Sequence, residues 1–518
     1  MGKITLSGFG GIAPRYGDLV KPGMATVARD CDLSGKQISA RSADLTVAML
    51  SGNYDSICKF GGSWLGGNNA CFLPWKIDET EMLIYLSGGT LVRRIGSTTV
   101  NIGQEVPAAP TVAEGNAGGS LDGTYRYLVT MVREVEDYED ESGPSEPSSE
   151  ITVDGNYVTV SISSPSDSNI TKWRLYRLSL AVSDYLLVAE VAIGTTSYSD
   201  GVADTDLGIV CPTWYTSSQG NEILIGPPPT ELNGLAPDLF GGMLFAWKDS
   251  RLYFCEPGTP DFWPSIYYLN FRTDIKQVVP FAGSLAVLCE DGPYRVDGTH
   301  PELLHASKPL GKEPCLAAAS CNGARGVYYL SDSGIALYNL VDSVVITNEA
   351  FTEDWFKENV GYAGVKLAVV DDKLILFHNA GALCFDETVK QWSTMAIEAD
   401  AVWVNPEDGG LYYLQDGTVK LLYGGSARVA CTWKSGKLYG KSPFNENAWL
   451  QIMPIGNGTV TLSAWVDGAL VIDGRTVDMD AEMERDQRMK FPAGCSGKVM
   501  QLQVDTSSAV EAVMVDYA

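Results

Sequence analysis

Histidine and positive charge are both scarce in this sequence. Its 518 residues include three histidines, His300, His305 and His378, and 37 Lys and Arg against 64 Asp and Glu, for a net charge of −27. No run of Lys or Arg occurs anywhere in the chain. Proteins that hold nucleic acid through its phosphates carry basic patches, so the composition argues against such binding. Solubility alone explains the same charge equally well.

The familiar catalytic motifs are also missing. The sequence has no HExxH and no GxSxG, and His300 and His305 flank Pro301–Leu304, which is not a metal-binding helix. A triad assembled from distant residues is disfavoured by the small number of histidines, and with 64 acidic residues any carboxylate pair is uninformative. We therefore predict that the protein is not an enzyme, and we predict no catalytic, cofactor-binding or metal-binding residues.

Paired cysteines and long apolar segments are absent too. The eleven cysteines form no CxxC, and several lie in apolar runs such as Ala286–Cys289, which predicts buried thiols and a reducing compartment. There is no basic-then-apolar amino-terminal segment and no run of about 18 apolar residues. We expect folding in a cytoplasm and no membrane span.

One glycine motif resembles a dinucleotide fingerprint. Gly8–Ala13 has the form GxGxxA, but that chemistry needs a helix to begin there so that its amides meet a pyrophosphate. Pro14 and Pro22 argue against a regular helix. The sequence instead predicts that residues 7–30 are an arm that packs on something else.

Two acidic clusters could bind calcium, which prefers several carboxylates. The first consists of Glu134, Glu136, Asp137, Glu139, Asp140 and Glu141, and the second of Asp200, Asp204 and Asp206. Neither has the spacing of a DxDxDG loop. We interpret the first as a solvated, self-repelling loop and the second as short acidic turns that are weak metal ligands.

What the sequence does contain is typical of short strands and tight turns. It has 54 Gly, 25 Pro, 24 Tyr and 12 Trp. Strand–turn–strand units recur with turns near residues 249, 291, 332, 371 and 416, at steps of 42, 41, 39 and 45 residues. A propeller blade of four strands has about 40–45 residues. Residues 50–105 add one or two hairpins, so the pattern predicts six or seven blades.

The predicted fold class is therefore all-β, with a β-propeller-like core, an inserted fibronectin/Ig-like sandwich and a carboxy-terminal β-sandwich. Residues 1–105 would form an amino-terminal arm and the first propeller strands, residues 106–225 the inserted sandwich, residues 226–425 the main blades and residues 426–518 the second sandwich. Helices would be short, such as Glu353–Glu358.

Several segments resemble propeller-bearing tail proteins of short-tailed bacteriophages. Arg251–Pro264 is similar to their strand followed by E-P-x-x-P-x-x-W-P, and Asp291–Gly298 to G-P-Y-x-V-x-G of the next blade. Ala28–Gly35 resembles the amino-terminal A-x-N-x-x-L-x-x-G, with Asp30 in place of Asn and Gly35 one residue early. Phe491–Gly494 resembles R-L-P-A-G without the Arg. Three more segments resemble the fibronectin-type insertion of some members: Tyr125–Val132, Gly143–Ser148 and Trp173–Arg177.

The resemblance implies a structural subunit of a tail nozzle or tail hub. Such a subunit would form a homo-oligomeric ring, typically a hexamer, below the portal and its adaptor. The ring would be a DNA conduit and stopper and would anchor tail fibres or a needle, located in the virion tail after assembly in the host cytoplasm. An acidic lumen would repel the phosphates of passing genomic DNA, which fits the net charge of −27.

Two other functions stay open at this point. One is a glycan-binding adhesin that uses exposed Trp and Tyr of the insertion. The other is a propeller hydrolase or lyase that degrades host glycan, which requires converging carboxylates at the propeller mouth.

Overall fold

The computed structural model is almost entirely β, with a propeller-like fold, as predicted. It describes residues 2–21, 23–77, 80–136, 138–179, 183–212, 215–216, 222–223, 225–236, 242–441, 446–482 and 486–518. The chain divides into two compact units. We call the first, Asn69–Cys289 with Tyr294–Ser307, the insert-bearing unit. The second, Met1–Asn68 with Glu290–Pro293 and Lys308–Ala518, is the terminal unit.

The insert-bearing unit contains three antiparallel four-stranded sheets of the kind found in propeller blades, in which each strand pairs with the next. The first blade consists of Phe72–Ile77, Thr80–Ser87, Thr90–Ile95 and Thr98–Asn101. The second consists of Gly234–Ala236, Phe245–Lys248, Arg251–Phe254 and Tyr268–Asn270. The third consists of Ile275–Phe281, Ser284–Cys289, Gly292–Asp297 and His305–Ser307.

Successive blades of this unit bury both of their faces. Along the strand Phe245–Lys248, side chains alternate between the two sides of the sheet. Ala246 packs with Ile84 of the first blade, whereas Trp247 packs with Val287 of the third. This two-sided burial explains why the middle strands are nearly continuous apolar runs.

The terminal unit contains three more sheets of the same kind. The fourth blade consists of Ser320–Gly323, Gly326–Ser331, Gly334–Tyr338 and Ser343–Val345. The fifth consists of Lys366–Val370, Lys373–His378, Gly381–Asp386 and Gln391–Met395. The sixth consists of Ala401–Val404, Leu411–Gln415, Thr418–Leu421 and, from far earlier in the chain, Leu45–Met49. Six blade-type sheets are thus present in the described part of the chain.

The predicted hairpins all form, with two residues between paired strands at each predicted turn. Left-handed aspartates occur at three of these turns: φ is 51° at Asp249, 49° at Asp371, 57° at Asp372 and 49° at Asp416. At the other two turns, positive φ falls on the glycine that follows, Gly292 at 109° and Gly334 at 130°. Asp tolerates this region better than most residues with a Cβ. The Asp-bearing turns therefore mark the hairpins for a physical reason, because tight hairpins need positive φ.

Between the first and second blades lies a segment of two sheets, which we call the insert. One sheet pairs Thr111–Tyr125, Ile151–Ser161 and Ser197–Asp200, and the other pairs Tyr138–Glu141, Tyr127–Val135, Ile170–Ser179 and Asp184–Ala192. A single apolar cluster contains Val158 and Val160 from the first sheet and Val129, Trp173 and Leu175 from the second. The two sheets thus share one core. The assignment of the insert to the fibronectin/Ig type stays a prediction.

Beyond the insert, two short strand pairs precede or border the second blade. Tyr215–Thr216 pairs with Glu222–Ile223, and Ile225–Gly226 pairs with Trp263–Pro264.

Strands from both ends of the chain build the remaining sheets of the terminal unit. One sheet contains Gly2–Ser7, Cys31–Asp32, Ile38–Ala40, Asn447–Asn457, Met489–Lys490, Ser496–Gly497 and Ala509–Tyr517. Another joins the fifth blade to Ala25–Arg29, Cys431–Ser435, Leu438–Tyr439, Thr459–Val466, Ala469–Asp478 and Val499–Thr506. The predicted domain boundaries stay predictions. Strands within residues 2–40 pair with strands of the predicted carboxy-terminal segment, 426–518, and so belong to the same sheets. Ser56–Phe60 and Ser63–Gly67 form a separate hairpin.

Helices are few and short, as predicted. The α-helix Glu353–Asn359 covers the predicted Glu353–Glu358, and the Thr352 side chain caps it by accepting a hydrogen bond from the Trp355 amide at 3.2 Å. The 3₁₀ segments are Pro14–Leu19, Asp204–Asp206, Pro301–Leu303 and Ile346–Glu349. Within the described ranges, no helix has the length and apolar character needed to cross a bilayer.

Candidate functional site

Two arginines and two aspartates form a buried ionic network where the insert meets the first and second blades. Arg93 is fully buried on the first blade and contacts the carboxylates of Asp140 and Asp261, with its Nη1 2.6 Å from Asp261 Oδ2. Arg133 of the insert places Nη2 2.6 Å from Asp140 Oδ2. The Tyr138 hydroxyl donates to Asp261 Oδ2 at 2.9 Å. Burial, followed by the charge of Arg93, lowers the pKa of Arg133. This network ties the insert to two blades.

The first acidic cluster is therefore not the solvated loop that the sequence predicts. Its described residues, Glu134, Glu136, Glu139, Asp140 and Glu141, lie on or between two paired strands, and Asp140 and Glu141 are buried. Arg174 reaches Glu139 at 2.5 Å and Glu141 at 2.6 Å, and Lys172 reaches Glu134 at 2.8 Å. Asp137 lies outside the described residues. The prediction was wrong because most of the neutralising cations come from other strands. Lys172 and Arg174 belong to Ile170–Ser179, and Arg93 of the first blade contacts Asp140.

The second acidic cluster is only partly a surface turn. Asp200 is fully buried, 2.5 Å from Arg177 Nη1, and accepts a hydrogen bond from the Tyr127 hydroxyl at 2.8 Å. Asp204 also contacts Arg177, at 2.8 Å, and begins the exposed 3₁₀ turn that ends at Asp206. Burial alone would lower the pKa of Arg177, but Asp200, Tyr127 and Asp204 together outweigh burial and raise that pKa. The cation that Asp200 and Asp204 bind is the guanidinium of Arg177.

The GxGxxA segment packs inside its own unit. The Gly11 amide donates to Gln391 Oε1 at 2.8 Å, and a Cβ on Gly11 would lie 2.0 Å from the Trp392 carbonyl oxygen. Phe9 and Ile12 are buried in the core of the terminal unit. The glycine at position 11 is required by close packing against the fifth blade. The segment is not a phosphate loop, and its packing partner is in the same chain.

The three histidines have unrelated environments. His300 Nδ1 accepts a hydrogen bond from the Glu302 amide at 3.4 Å and caps a short turn. His305 is exposed on the outer strand of the third blade. His378 ends the second strand of the fifth blade and lines a polar pocket. Among the described residues, no group of three or more His, Cys, Asp or Glu side chains is arranged to hold a metal ion.

The polar pocket beside His378 is an open depression of about 600 Å³ in the terminal unit. Residues before and after the 56–67 hairpin form one wall, namely Asn53, Tyr54, Asp55 and Asn68. The fifth blade contributes Lys366, His378 and Asn379. The approach to the sixth blade and its hairpin turn contribute Glu398, Asp400 and Asp416. Sequence reasoning missed this pocket because its lining comes from well-separated segments, none of which carries a motif.

The two basic side chains of the polar pocket are half-buried. Burial lowers the pKa of Lys366, against the opposing effects of Asp55 and Asp400. Burial also lowers the pKa of His378, against the opposing effect of Glu398. His378 Nδ1 accepts a hydrogen bond from the Ala380 amide at 3.4 Å. Since a neutral imidazole carries one proton, that proton lies on Nε2.

A smaller cavity of about 200 Å³ lies between the amino-terminal segment and the fifth blade. Two of its basic groups are paired with carboxylates: Arg41 contacts Asp30 at 2.8 Å and Asp44 at 3.0 Å, and Lys373 contacts Asp32 at 3.3 Å. Burial would raise the pKa of Asp32, but Lys373 and local hydrogen bonds lower it. The Lys373–Asp32 pair joins the amino-terminal segment to the fifth blade, whereas both Arg41 pairs lie within the amino-terminal segment.

Two thiols illustrate the predicted burial of cysteine. Burial raises the pKa of both Cys71 and Cys384 to about 11. A thiol at that pKa stays protonated near neutral pH and is a poor nucleophile. These cysteines therefore pack as small apolar side chains.

Comparison with known proteins gives fold-level likeness alone. No protein-family model and no curated protein matches the sequence. Three similar solved structures are BBS1N in complex with ARL6DN, BamB from Moraxella catarrhalis and the WD40 domain of Pan2 from Neurospora crassa. Their identities to this chain are 9%, 10% and 9%, with TM-scores of 0.31, 0.32 and 0.27.

The alignments cover 74%, 73% and 69% of this chain and 97%, 99% and 91% of the respective structures. TM-scores this low carry no conclusion about this chain. Its fold assignment stands on the strand pairing described above.

Proposed function

We propose that the protein is a structural subunit of a bacteriophage tail nozzle, located in the virion tail and assembled in the host cytoplasm. Copies of the chain would form a ring, a hexamer by resemblance, below the portal adaptor. The ring would conduct and retain the genomic DNA without sequence-specific binding and would anchor tail fibres or a tail needle. The protein would act through its shape and its self-association rather than through catalysis.

The observation that carries this proposal is the outer strand of the sixth blade. Leu45–Met49 is the terminal strand of its sheet. Its side chains at alternate positions are exposed although they are apolar: Leu45 by 46%, Val47 by 38% and Met49 by 83%. Proteins normally protect edge strands with charge or proline, because an apolar edge pairs with other chains. An edge of this kind suits a subunit whose partner is a second copy.

The locations of the resembling segments also support the proposal. Arg251–Pro264 begins with a strand of the second blade and continues to Trp263, whose indole donates to the Pro260 carbonyl at 2.7 Å. Asp291–Gly298 contains the third-blade strand Gly292–Asp297. These two segments are thus blade strands and a packed blade loop.

Imaging tests the proposal directly. Negative-stain images of the virion tail, with the chain marked by a gold-labelled antibody, should show label on a six-fold ring below the capsid. The net charge of −27 adds the expectation of an acidic lumen in that ring. Label elsewhere on the virion, or absence of the chain from virions, would contradict the proposal.

The edge strand provides a second test. Val47→Lys together with Met49→Lys should shift the purified protein from rings to monomers in light scattering, because charge on an edge opposes pairing. Val27→Lys is the matched control, since Val27 is also an exposed apolar residue on a strand, at 39%, but its strand Ala25–Arg29 pairs on both sides. Rings that persist in the double variant would exclude this strand from the interface.

A further inference from the structure

From the lining of the polar pocket beside His378, we propose that it is a binding site for a neutral carbohydrate. The site is in the terminal unit. The proposal does not depend on the nozzle assignment, since it rests on the chemistry of the pocket itself.

The first argument is the mixture of hydrogen-bonding groups. A sugar hydroxyl donates one hydrogen bond and accepts others, so it is best met by side chains that offer both roles. Asn53, Asn68 and Asn379 each carry an amide donor and an acceptor, and Asp400 and Glu398 add acceptors. Asn68 Oδ1 also accepts the Asp55 amide at 3.3 Å, which fixes its orientation.

The second argument is that His378 is prepared as a donor. Its Nδ1 is occupied by the Ala380 amide at 3.4 Å, so its Nε2–H remains for a ligand. Lys366 adds an ammonium donor, whose Nζ lies 3.3 Å from the Gly364 carbonyl oxygen. Donors and acceptors therefore converge on one depression, which is the pattern expected of a polar ligand site.

The third argument is an aromatic side chain held against glycine. A Cβ on Gly66 would lie 2.3 Å from the ring of Tyr54, and a Cβ on Gly52 would lie 2.7 Å from it. The Tyr54 hydroxyl donates to the Ser51 carbonyl at 3.0 Å. The ring is therefore held in place by its neighbours, and Tyr54 adds an aromatic residue to the polar lining of the pocket, as tyrosine does at binding sites.

Charge selects the class of carbohydrate. Four carboxylates, Asp55, Glu398, Asp400 and Asp416, face a single ammonium, that of Lys366. This excess repels uronic and sialic acids. The presence of Lys366 opposes a purely cationic ligand such as a polyamine. A neutral hexose or N-acetylhexosamine unit fits both constraints.

The test is saturation-transfer NMR on the full chain with three probe sets. The sets are neutral hexoses and N-acetylhexosamines with their oligomers, oligosaccharides of uronic and sialic acids, and spermidine. We expect signals from neutral saccharides only. Calorimetry on the best neutral probe should show binding about tenfold weaker in His378→Ala, which corresponds to about 1.4 kcal/mol for a lost hydrogen bond.

Two further variants make the result decisive. Gly66→Ala should weaken binding by displacing Tyr54 without changing any polar group, and His305→Ala, on the exposed outer strand of the third blade, should bind as the unaltered protein does. Circular dichroism would establish that each variant is folded, and Asn379→Ala replaces His378→Ala if the latter is not. Binding of spermidine alone, preference for acidic saccharides, no signal from any neutral probe, or unchanged affinity in both pocket variants would overturn the proposal.

Discussion

The blades and the insert both contain sheets with buried side chains, but different interactions stabilise them. In the blades, middle strands such as Ser284–Cys289 and Gly326–Ser331 are buried at every residue and are mostly apolar. In the insert and at its base, fully buried arginines, Arg93 and Arg177, are neutralised by buried aspartates. Apolar packing tolerates small changes, because neighbours relax around them. A buried ion pair does not tolerate the loss of one partner.

The largest effect should come from Arg93→Ala. It would leave Asp140 and Asp261 buried with less positive charge, which costs about 3–5 kcal/mol of unfolding free energy when a buried pair is broken. Urea unfolding followed by Trp fluorescence would measure it. Arg126→Ala is the control, because its pair with Glu150 is 47% and 60% exposed and exposed pairs contribute about 0–1 kcal/mol. Equal effects of the two substitutions would contradict the claim that the buried ionic network at the base of the insert is less tolerant of the loss of one partner than an exposed ion pair.

The next largest effect should come from a change in the apolar packing between two blades. Leu285 is fully buried between the second and third blades, and Leu285→Ala should cost roughly 2–5 kcal/mol through lost burial and a cavity. Leu285→Met keeps the volume and should cost less than about 1.5 kcal/mol. Thermal unfolding of both variants provides the measurement. A large loss in the Met variant would show that the blades are as intolerant as the ionic network.

Substitutions in one hairpin turn should change the unfolding free energy by a smaller amount, and they should increase it. Asp371 and Asp372 both have positive φ, at 49° and 57°, and Asp371→Asn with Asp372→Gly creates the preferred residues for this turn. We expect a gain of less than about 1 kcal/mol, since relief of left-handed strain is partly offset by the entropy of glycine. Urea midpoints would detect it. A loss of stability would indicate that these carboxylates have contacts that outweigh the strain.

The smallest effect should be a pH dependence of the unfolding free energy that arises from His378 in the polar pocket. The pKa of His378 is lowered from 6.5 by burial, so the unfolded chain binds a proton more readily than the folded chain. Its contribution to stability is present above pH 6.5 and is lost as the pH falls through the lower folded-state value. His378→Gln should flatten this part of the curve of unfolding free energy between pH 7.5 and 5. An unchanged slope would assign the pH dependence to other groups.

Much of the blade architecture could be predicted, because it depends on patterns in short stretches of the sequence. Apolar strands separated by Asp-bearing turns predict hairpins without knowledge of distant contacts, and all five turns lie where they were expected. The short helix at Glu353–Asn359 was equally visible.

The ionic networks and the pocket could not be predicted in the same way. Arg93 and Asp261 are 168 positions apart, and nothing local marks either as buried. Like charges in the acidic run predict a solvated loop, and only the packing of cations from other strands, Arg93, Lys172 and Arg174, reveals how that charge is compensated. The polar pocket needs His378, Asn53 and Asp400 to converge, which no spacing rule encodes.

The pairing of Gly2–Ser7 with Ala509–Tyr517 has a consequence for how the protein is made. During translation, the first strand leaves the ribosome about 500 residues before its partner, and synthesis at roughly 5–20 residues per second separates the two by on the order of 25–100 seconds. Over that interval the apolar residues of the first strand lack their hydrogen-bonding neighbour. The two sheets of the terminal unit that contain Val499–Thr506 and Ala509–Tyr517 therefore complete their assembly at the end of synthesis, after the insert-bearing unit has left the ribosome.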